Sequence, residues 1–187
     1  MRLFIALKLP SAVRENLAAL LKSLRAVSPQ TRWVRPENLH VTLKFIGEVP
    51  ETKLAAIRNA LSLARSDQPV TLNFRGLGFF PNEKHPRVFW AGIEGSPNLK
   101  TLAADIDKAA EKLGIPHEQR PFSPHLTLAR FEPPGLQEKL RYAIQENAAR
   151  DFGSLHAGQF HLIESQLKAS GAEYTTLESF SFAAAEA

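Results

Sequence analysis

The sequence predicts a mixed helix–strand fold built as two similar halves around a shared cleft. Two observations carry this. A short motif occurs twice in matching frames: Arg35-Pro36, then after three residues His40-Val41-Thr42-Leu43, and again Arg120-Pro121, then after three residues His125-Leu126-Thr127-Leu128. Both copies lead from a strand into a proline-containing turn and a helix. Around them, β-rich runs interleave with helical runs along the whole chain.

The elements follow in order. Arg2 to Leu9 reads as a strand. Ser11, a good N-cap residue, starts a helix that repeats Val13, Leu17, Leu20, Leu21 and Leu24 and ends near Ser28-Pro29. Leu39 to Ile46 is a strand carrying the first motif. A second helix follows Pro50, with Leu54, Ile57 and Leu61 on one face. Val70 to Phe80 and Arg87 to Ile93 have strand length and composition. The third helix has Ser96 as N-cap and Pro97 at its first position, continues through Leu99, Leu102, Ile106 and Leu113, and stops at Gly114 and Pro116. His125 to Phe131 is the second motif strand. Glu132-Pro133-Pro134-Gly135 is the turn before a fourth helix with Leu136, Leu140, Ala143 and Ile144. Gln159 to Lys168 is a strand, and a hairpin through Ser170-Gly171 returns Glu173 to Phe182 alongside it. The Ala-rich end, Ala183 to Ala187, is expected to fray. With no Gly/Ser-rich linker between them, the halves, near 1–90 and 91–187, are expected to be lobes of one domain spanning 1–187, with an exchange of terminal strands left open.

Composition narrows the class. The chain has 187 residues, 44% hydrophobic and 22% charged, which suits a soluble globular protein. No apolar run reaches the roughly 20 residues that span a bilayer, so no membrane association is expected. The first residues are too short an apolar stretch for a signal peptide and read as a strand. There is no cysteine, which excludes disulfides and thiolate chemistry and fits a cytoplasmic protein. The excess of 23 Lys+Arg over 19 Asp+Glu favours polyanionic partners without specifying one.

The motif carries the chemistry. Residues at i and i+2 of a strand share a face, so each copy offers an imidazole beside a hydroxyl, with Val41/Leu126 and Leu43/Leu128 turned the other way for packing. Histidine titrates near pH 6.5, so one ring can accept a proton while its partner donates one. In-line hydrolysis of a phosphodiester needs both roles, on opposite sides of phosphorus. Threonine hydroxyls can donate to the non-bridging oxygens where charge is stabilised. A cyclic 2′,3′-phosphate suits such a site, because ring strain lowers the demand for a metal. A lone His-x-Thr is usually structural; two copies with matched flanks are not. Two histidines without a neighbouring Asp, Glu or Cys do not make a zinc site, and no Walker-type loop is present. No metal and no cofactor are expected. Parity alone does not say which histidine is acid and which is base.

These residues resemble the two signature motifs (HxTx) of the two-histidine, or 2H, phosphoesterases. Within that superfamily they are most similar to the bacterial and archaeal RNA 2′,3′-cyclic phosphodiesterases, once called 2′-5′ RNA ligases. The similarity covers almost the whole chain: Arg2-Leu3-Phe4-Ile5-Ala6-Leu7; Asn38-Leu39-His40 through Gly47-Glu48-Val49; Gly76-Leu77-Gly78 to Pro81 with Pro86 to Gly92; Pro124-His125 to Arg130; and Ser165, Gly171, Tyr174, Leu177 and Phe180 near the end. The resemblance implies an α+β fold of two pseudo-symmetric lobes, each an antiparallel sheet with outer helices, around a central cleft. It implies His40 as the proton donor to the leaving O3′ and His125 as the base that activates water. Thr42, Thr127 and Arg130 are implied as phosphate contacts. The implied partner is RNA with a 2′,3′-cyclic phosphate end, and the implied product a 2′-phosphate, made by a cytoplasmic monomer. Two alternatives remain: a non-catalytic module that binds RNA ends, and a 2H phosphodiesterase acting on a small cyclic nucleotide.

Strict alternation places Arg130 on the face opposite His125 and Thr127, so either the strand bulges or twists there or Arg130 forms a salt bridge behind the sheet. Lys44 shares the His40 and Thr42 face by the same rule and reads as a solvated strand-end lysine, with added positive potential at the cleft rim as the functional alternative. Gly76 and Gly78 read as a bulge or turn. Phe79, Phe80 and Trp90 read as core, with base stacking as the functional alternative. Arg35 and Arg120 read as structural braces, and His85, His117, His156 and His161 as surface or loop residues.

Overall fold

An apolar run from Leu3 to Leu7 is what a strand buried on both faces requires, and it forms the centre of β1 (Arg2–Lys8). Leu3, Ile5 and Leu7 enter the main core, while Phe4 and Ala6 face the opposite way. The structure, a computed structural model, describes residues 1–64, 66, 68–133 and 135–182. The end expected to fray, 183–187, and Pro134 of the expected turn lie outside the described residues.

Chain order continues with α1 (Ser11–Val27), β2 (Arg32–Trp33), β3 (His40–Glu48), α2 (Leu54–Leu61), β4 (Val70–Phe80), β5 (Val88–Gly95), α3 (Pro97–Glu111), β6 (His125–Arg130), α4 (Glu138–Gln145), β7 (Asp151–Ala157), β8 (Gln159–Lys168) and β9 (Gly171–Ser181). Ser11 is the first helical residue rather than the cap, a position held by extended Pro10. Ser96 does cap α3 in backbone terms, but its hydroxyl turns to Asn98 Oδ1 and accepts the Thr71 N–H.

The strands form two antiparallel sheets, ordered β3-β1-β8-β9 and β2-β6-β5-β4-β7, giving an α+β fold. The two orders correspond: β3-β1 matches β6-β5, with a motif strand beside the strand that opens its half. A boundary near residue 90 falls inside β5, however, and neither sheet is built from one half of the chain. β8 and β9 complete the sheet begun by β1 and β3, and β4 lies in the sheet of β5 and β6. The helices cross over too. α1 packs on β7 and α4, while α3 packs on β3 and α2. One hydrophobic core therefore runs through both lobes, including Leu7, Leu17 and Val41 as well as Phe74, Phe89, Phe152 and Phe160. Among the described residues no helix is long and apolar enough to cross a membrane.

Candidate active site

β3 enters from a short 3-10 turn, Pro36–Asn38, and that turn sets the first histidine. The Nδ1–H of His40 donates to the Asn38 carbonyl at 2.5 Å. A carbonyl can only accept, so the proton resides on Nδ1 and Nε2 is the nitrogen left to titrate. Phe4 stacks on the ring at 4.6 Å and 30°, and Tyr174 of β9 meets it edge-on at 5.2 Å. Burial under these rings lowers the His40 pKa, and the Asn38 bond only partly opposes it.

The second copy repeats the device. The Nδ1–H of His125 donates to the Ser123 carbonyl, again two residues earlier, at 2.9 Å. Phe80 stands edge-on to the ring at 4.9 Å and packs on Trp90 at 5.4 Å. Trp90 is paired with Thr127 on one side and Gly78 on the other. A Cβ at Gly78 would sit 2.3 Å from the indole, so glycine is what lets the ring lie flat there. Gly76, at φ +78, occupies the expected bulge in β4. Of the three aromatics read as core, only Phe79 packs inward, on Phe89 and Phe131.

Both motif strands bulge at the same place. Ala6 pairs with Thr42 and Ile5 with Lys44, leaving Leu43 unpaired; Trp90 pairs with Thr127 and Phe89 with Ala129, leaving Leu128 unpaired. An extra residue reverses the parity beyond it. Lys44 and Ala129 therefore turn into the core, and Phe45 and Arg130 turn to the histidine face. This overturns the reading of Lys44 and decides between the two placements of Arg130. Lys44 is not a solvated cleft residue: its side chain is 5% exposed and donates to Asp107 Oδ1 at 2.6 Å and to the Pro116 carbonyl at 2.7 Å. Arg130 stands on the face of His125 and Thr127 rather than behind the sheet. Its register partner Arg32 ion-pairs with Glu132 at 3.1 Å.

The two motif strands approach each other. β3 and β6 are in contact. Burial raises the Tyr174 pKa above all, while Arg130, Arg2 and Arg35 pull it back, so a residue of one sheet feels the arginine of the other. Phe4, Tyr174 and Phe45 are site residues that sequence reasoning passed over. For Phe45 the signal was present, since it lies five residues after His40, as Arg130 does after His125.

Arg35 is a brace, donating from Nη2 to the Ala172 carbonyl with Asn38 Nδ2 beside it. Arg120, its counterpart, is exposed. His161 is not a surface residue: it is 4% exposed in β8, bonds Ser179 Oγ at 2.8 Å, and has a pKa lowered to about 4 by burial and then by Lys8. His117 is exposed but partnered, with Nδ1 2.5 Å from Asp107 Oδ2. Among the described residues no group of three His, Cys, Asp or Glu side chains is placed to hold a metal ion.

The LigT like Phosphoesterase family description matches residues 7–90 and 93–174. The RNA 2′,3′-cyclic phosphodiesterase of Methanothermobacter thermautotrophicus is 35% identical, covering 96% of this chain and 97% of its own length. That of Archaeoglobus fulgidus is 36% identical over 96% and 99%. Among solved structures, a Thermus thermophilus protein superposes with a TM-score of 0.78 at 37% identity, covering 97% of this chain and 98% of that one. LigT of E. coli complexed with 3′-AMP superposes with a TM-score of 0.75 at 29% identity, covering 98% of each chain. With two family segments spanning nearly the whole chain and relatives 35% and 36% identical over 96% of it, this protein belongs to the LigT-like phosphoesterase family.

Proposed function

We propose that the chain hydrolyses 2′,3′-cyclic phosphates at RNA ends to 2′-phosphomonoesters, without a metal. The observation that carries this is the pair of matched imidazoles. Each has its Nδ1 proton committed to a carbonyl two residues earlier, so each has Nε2 free for proton transfer, beside a threonine on the same face. In this reading His125 Nε2 takes a proton from water as its oxygen attacks phosphorus. The P–O3′ bond breaks, and His40 Nε2 protonates the departing O3′. Thr42, Thr127 and Arg130 donate to the non-bridging oxygens as charge grows on them. Both histidines come from one chain, so a monomer suffices, acting on RNA in the cytoplasm.

The lowered pKa of His40 bears on its role, because an acid must hold its proton. A phosphodiester anion bound against the ring favours the imidazolium and opposes the desolvation. The relatives named as RNA 2′,3′-cyclic phosphodiesterases support the substrate class, as does the 3′-AMP bound by LigT of E. coli.

The test is a short RNA ending in a 2′,3′-cyclic phosphate, incubated with the protein and EDTA, with products separated by chromatography. A 2′-phosphate product is expected, reduced by about 10²–10⁴-fold in His40→Ala and in His125→Ala. RNA that binds but is never cut would replace the enzyme with a binding module. An undiminished rate in either variant would remove that histidine from the mechanism.

A further inference from the structure

We propose that the recess beside His40 is a subsite for a second phosphate, the one esterified to the 5′ oxygen of the nucleotide that carries the cyclic phosphate. This rests on the reading of the preceding subsection. The recess is lined by His40, Tyr174, Thr176, Lys8, Arg14 and Glu37, with two apolar side chains completing it.

Two cations there are unspent. Lys8 is paired with His40 in the β1–β3 register, one strand over, so its ammonium stands on the histidine face. The charge of Lys8 is felt inside the sheet, where it helps keep the buried His161 neutral. Arg14 lies in the first turn of α1 and reaches the recess from the other lobe, and its Nε is buried with no hydrogen-bond partner. A buried donor without a partner is rare enough to need an explanation. Lys44 and Arg141, by contrast, are matched by Asp107 and Glu83. The carboxylate in the recess, Glu37, is itself paired with Arg35 at 3.7 Å, so it does not neutralise Lys8 and Arg14.

The recess therefore presents net positive charge and two free donors, contiguous with the imidazole placed at the leaving O3′. An anion belongs there. The substrate of this site carries its next anion on the 5′ oxygen of the same ribose, one nucleotide from the reacting phosphorus. The recess touches His40 and not His125, which fixes the direction in which the substrate chain leaves the cleft: past Lys8 and Arg14, along the first sheet.

The experiment compares a nucleoside 2′,3′-cyclic phosphate with the same nucleotide bearing a 5′-phosphate, and with a dinucleotide whose 3′ end is the cyclic phosphate. The wild-type chain is expected to show a KM about tenfold lower for the two probes with a 5′-linked phosphate. Lys8→Ala and Arg14→Gln are expected to erase most of that preference, and Lys8→Glu to invert it. A preference for the monoester probe alone would assign the subsite to mononucleotide 5′-phosphates; a preference for both extends it to the RNA backbone. A wild type that treats all three probes alike, or a preference that survives in both Lys8→Ala and Arg14→Gln, overturns the proposal. If the wild type cuts none of them, the hydrolytic reading fails instead. Calorimetric binding of the same probes then decides the subsite separately, by whether the 5′-phosphate tightens binding in the wild type and not in Lys8→Ala.

Discussion

Lys44 Nζ lies 2.6 Å from Asp107 Oδ1, with only 5% and 10% of the two side chains exposed. The pair ties the strand of the first motif to α3. Asp107 also accepts from the Glu118 N–H and pairs with His117, so it anchors the segment that leads into the second motif. Removing one partner strands the other charge away from water. Asp107→Ala is expected to lower stability by about 3–5 kcal/mol, and the double change Lys44→Met with Asp107→Leu to recover most of it. Urea unfolding of the three variants checks this; a single variant as stable as the wild type would show that the pair contributes nothing.

The same carboxyl makes an acid-side prediction. Burial pushes the Asp107 pKa up, but the Lys44 bond, the Glu118 N–H and the charges of Lys44 and His117 together hold it below its ordinary value. A depressed carboxyl pKa stabilises the fold above the unfolded value, near 3.9, and that contribution is lost as pH falls through the folded value. His161 acts over a higher window. Its folded pKa, about 4, lies below the ordinary 6.5, so between these values the unfolded chain takes up a proton that the folded chain refuses. Stability therefore declines from pH 6.5 toward 4, by on the order of 3 kcal/mol. His161→Gln is expected to flatten that slope in urea midpoints measured from pH 7 to 4. An unaltered slope would assign the loss to other groups.

What could be read from sequence was what depends on local frames. The His-x-Thr pairs, their common face and the helices with regular apolar spacing needed only neighbours along the chain. The bulges at Leu43 and Leu128 did not show, because Leu43-Lys44 and Leu128-Ala129 resemble ordinary strand residues and the extra residue exists only relative to the partner strand. Lys44 was misread for that reason: the side chain that satisfies it is on α3, distant in sequence. The crossing of β4, β8 and the helices between lobes is topology, which periodicity does not encode. β7 was passed over because Phe152, Leu155 and Ala157 break alternation around Gly153, which sits at φ +110.

Tyr174 is expected to set the titration of His40. The ring meets the imidazole edge-on and adds to the burial that lowers its pKa. Tyr174→Ala uncovers the imidazole, so its pKa should rise toward 6.5. If His40 is the acid, activity falls as pH rises through that pKa, and the variant should hold activity to higher pH. Tyr174→Phe keeps the ring and should leave the limb in place. NMR titration of the His40 ring protons reads the shift directly, and coincident curves for Tyr174→Ala and wild type would sink the idea.

Arg130 reaches the histidine face only because Leu128 is skipped in pairing with β5, and that placement predicts how its variants behave. A guanidinium offers a planar fork to two phosphate oxygens, whereas a lysine offers a point charge. Arg130→Ala is expected to lower kcat/KM by about 10²-fold, with Arg130→Lys recovering only part. Thr42→Ala and Thr127→Ala should each cost a comparable factor, about 10²-fold, as lost donors to the same oxygens. Arg130 is exposed, so its variants should unfold at wild-type urea concentrations, which separates a lost contact from a lost fold. Full activity in Arg130→Ala would mean that the bulge serves the packing of Ala129 against Phe89 and not the phosphate.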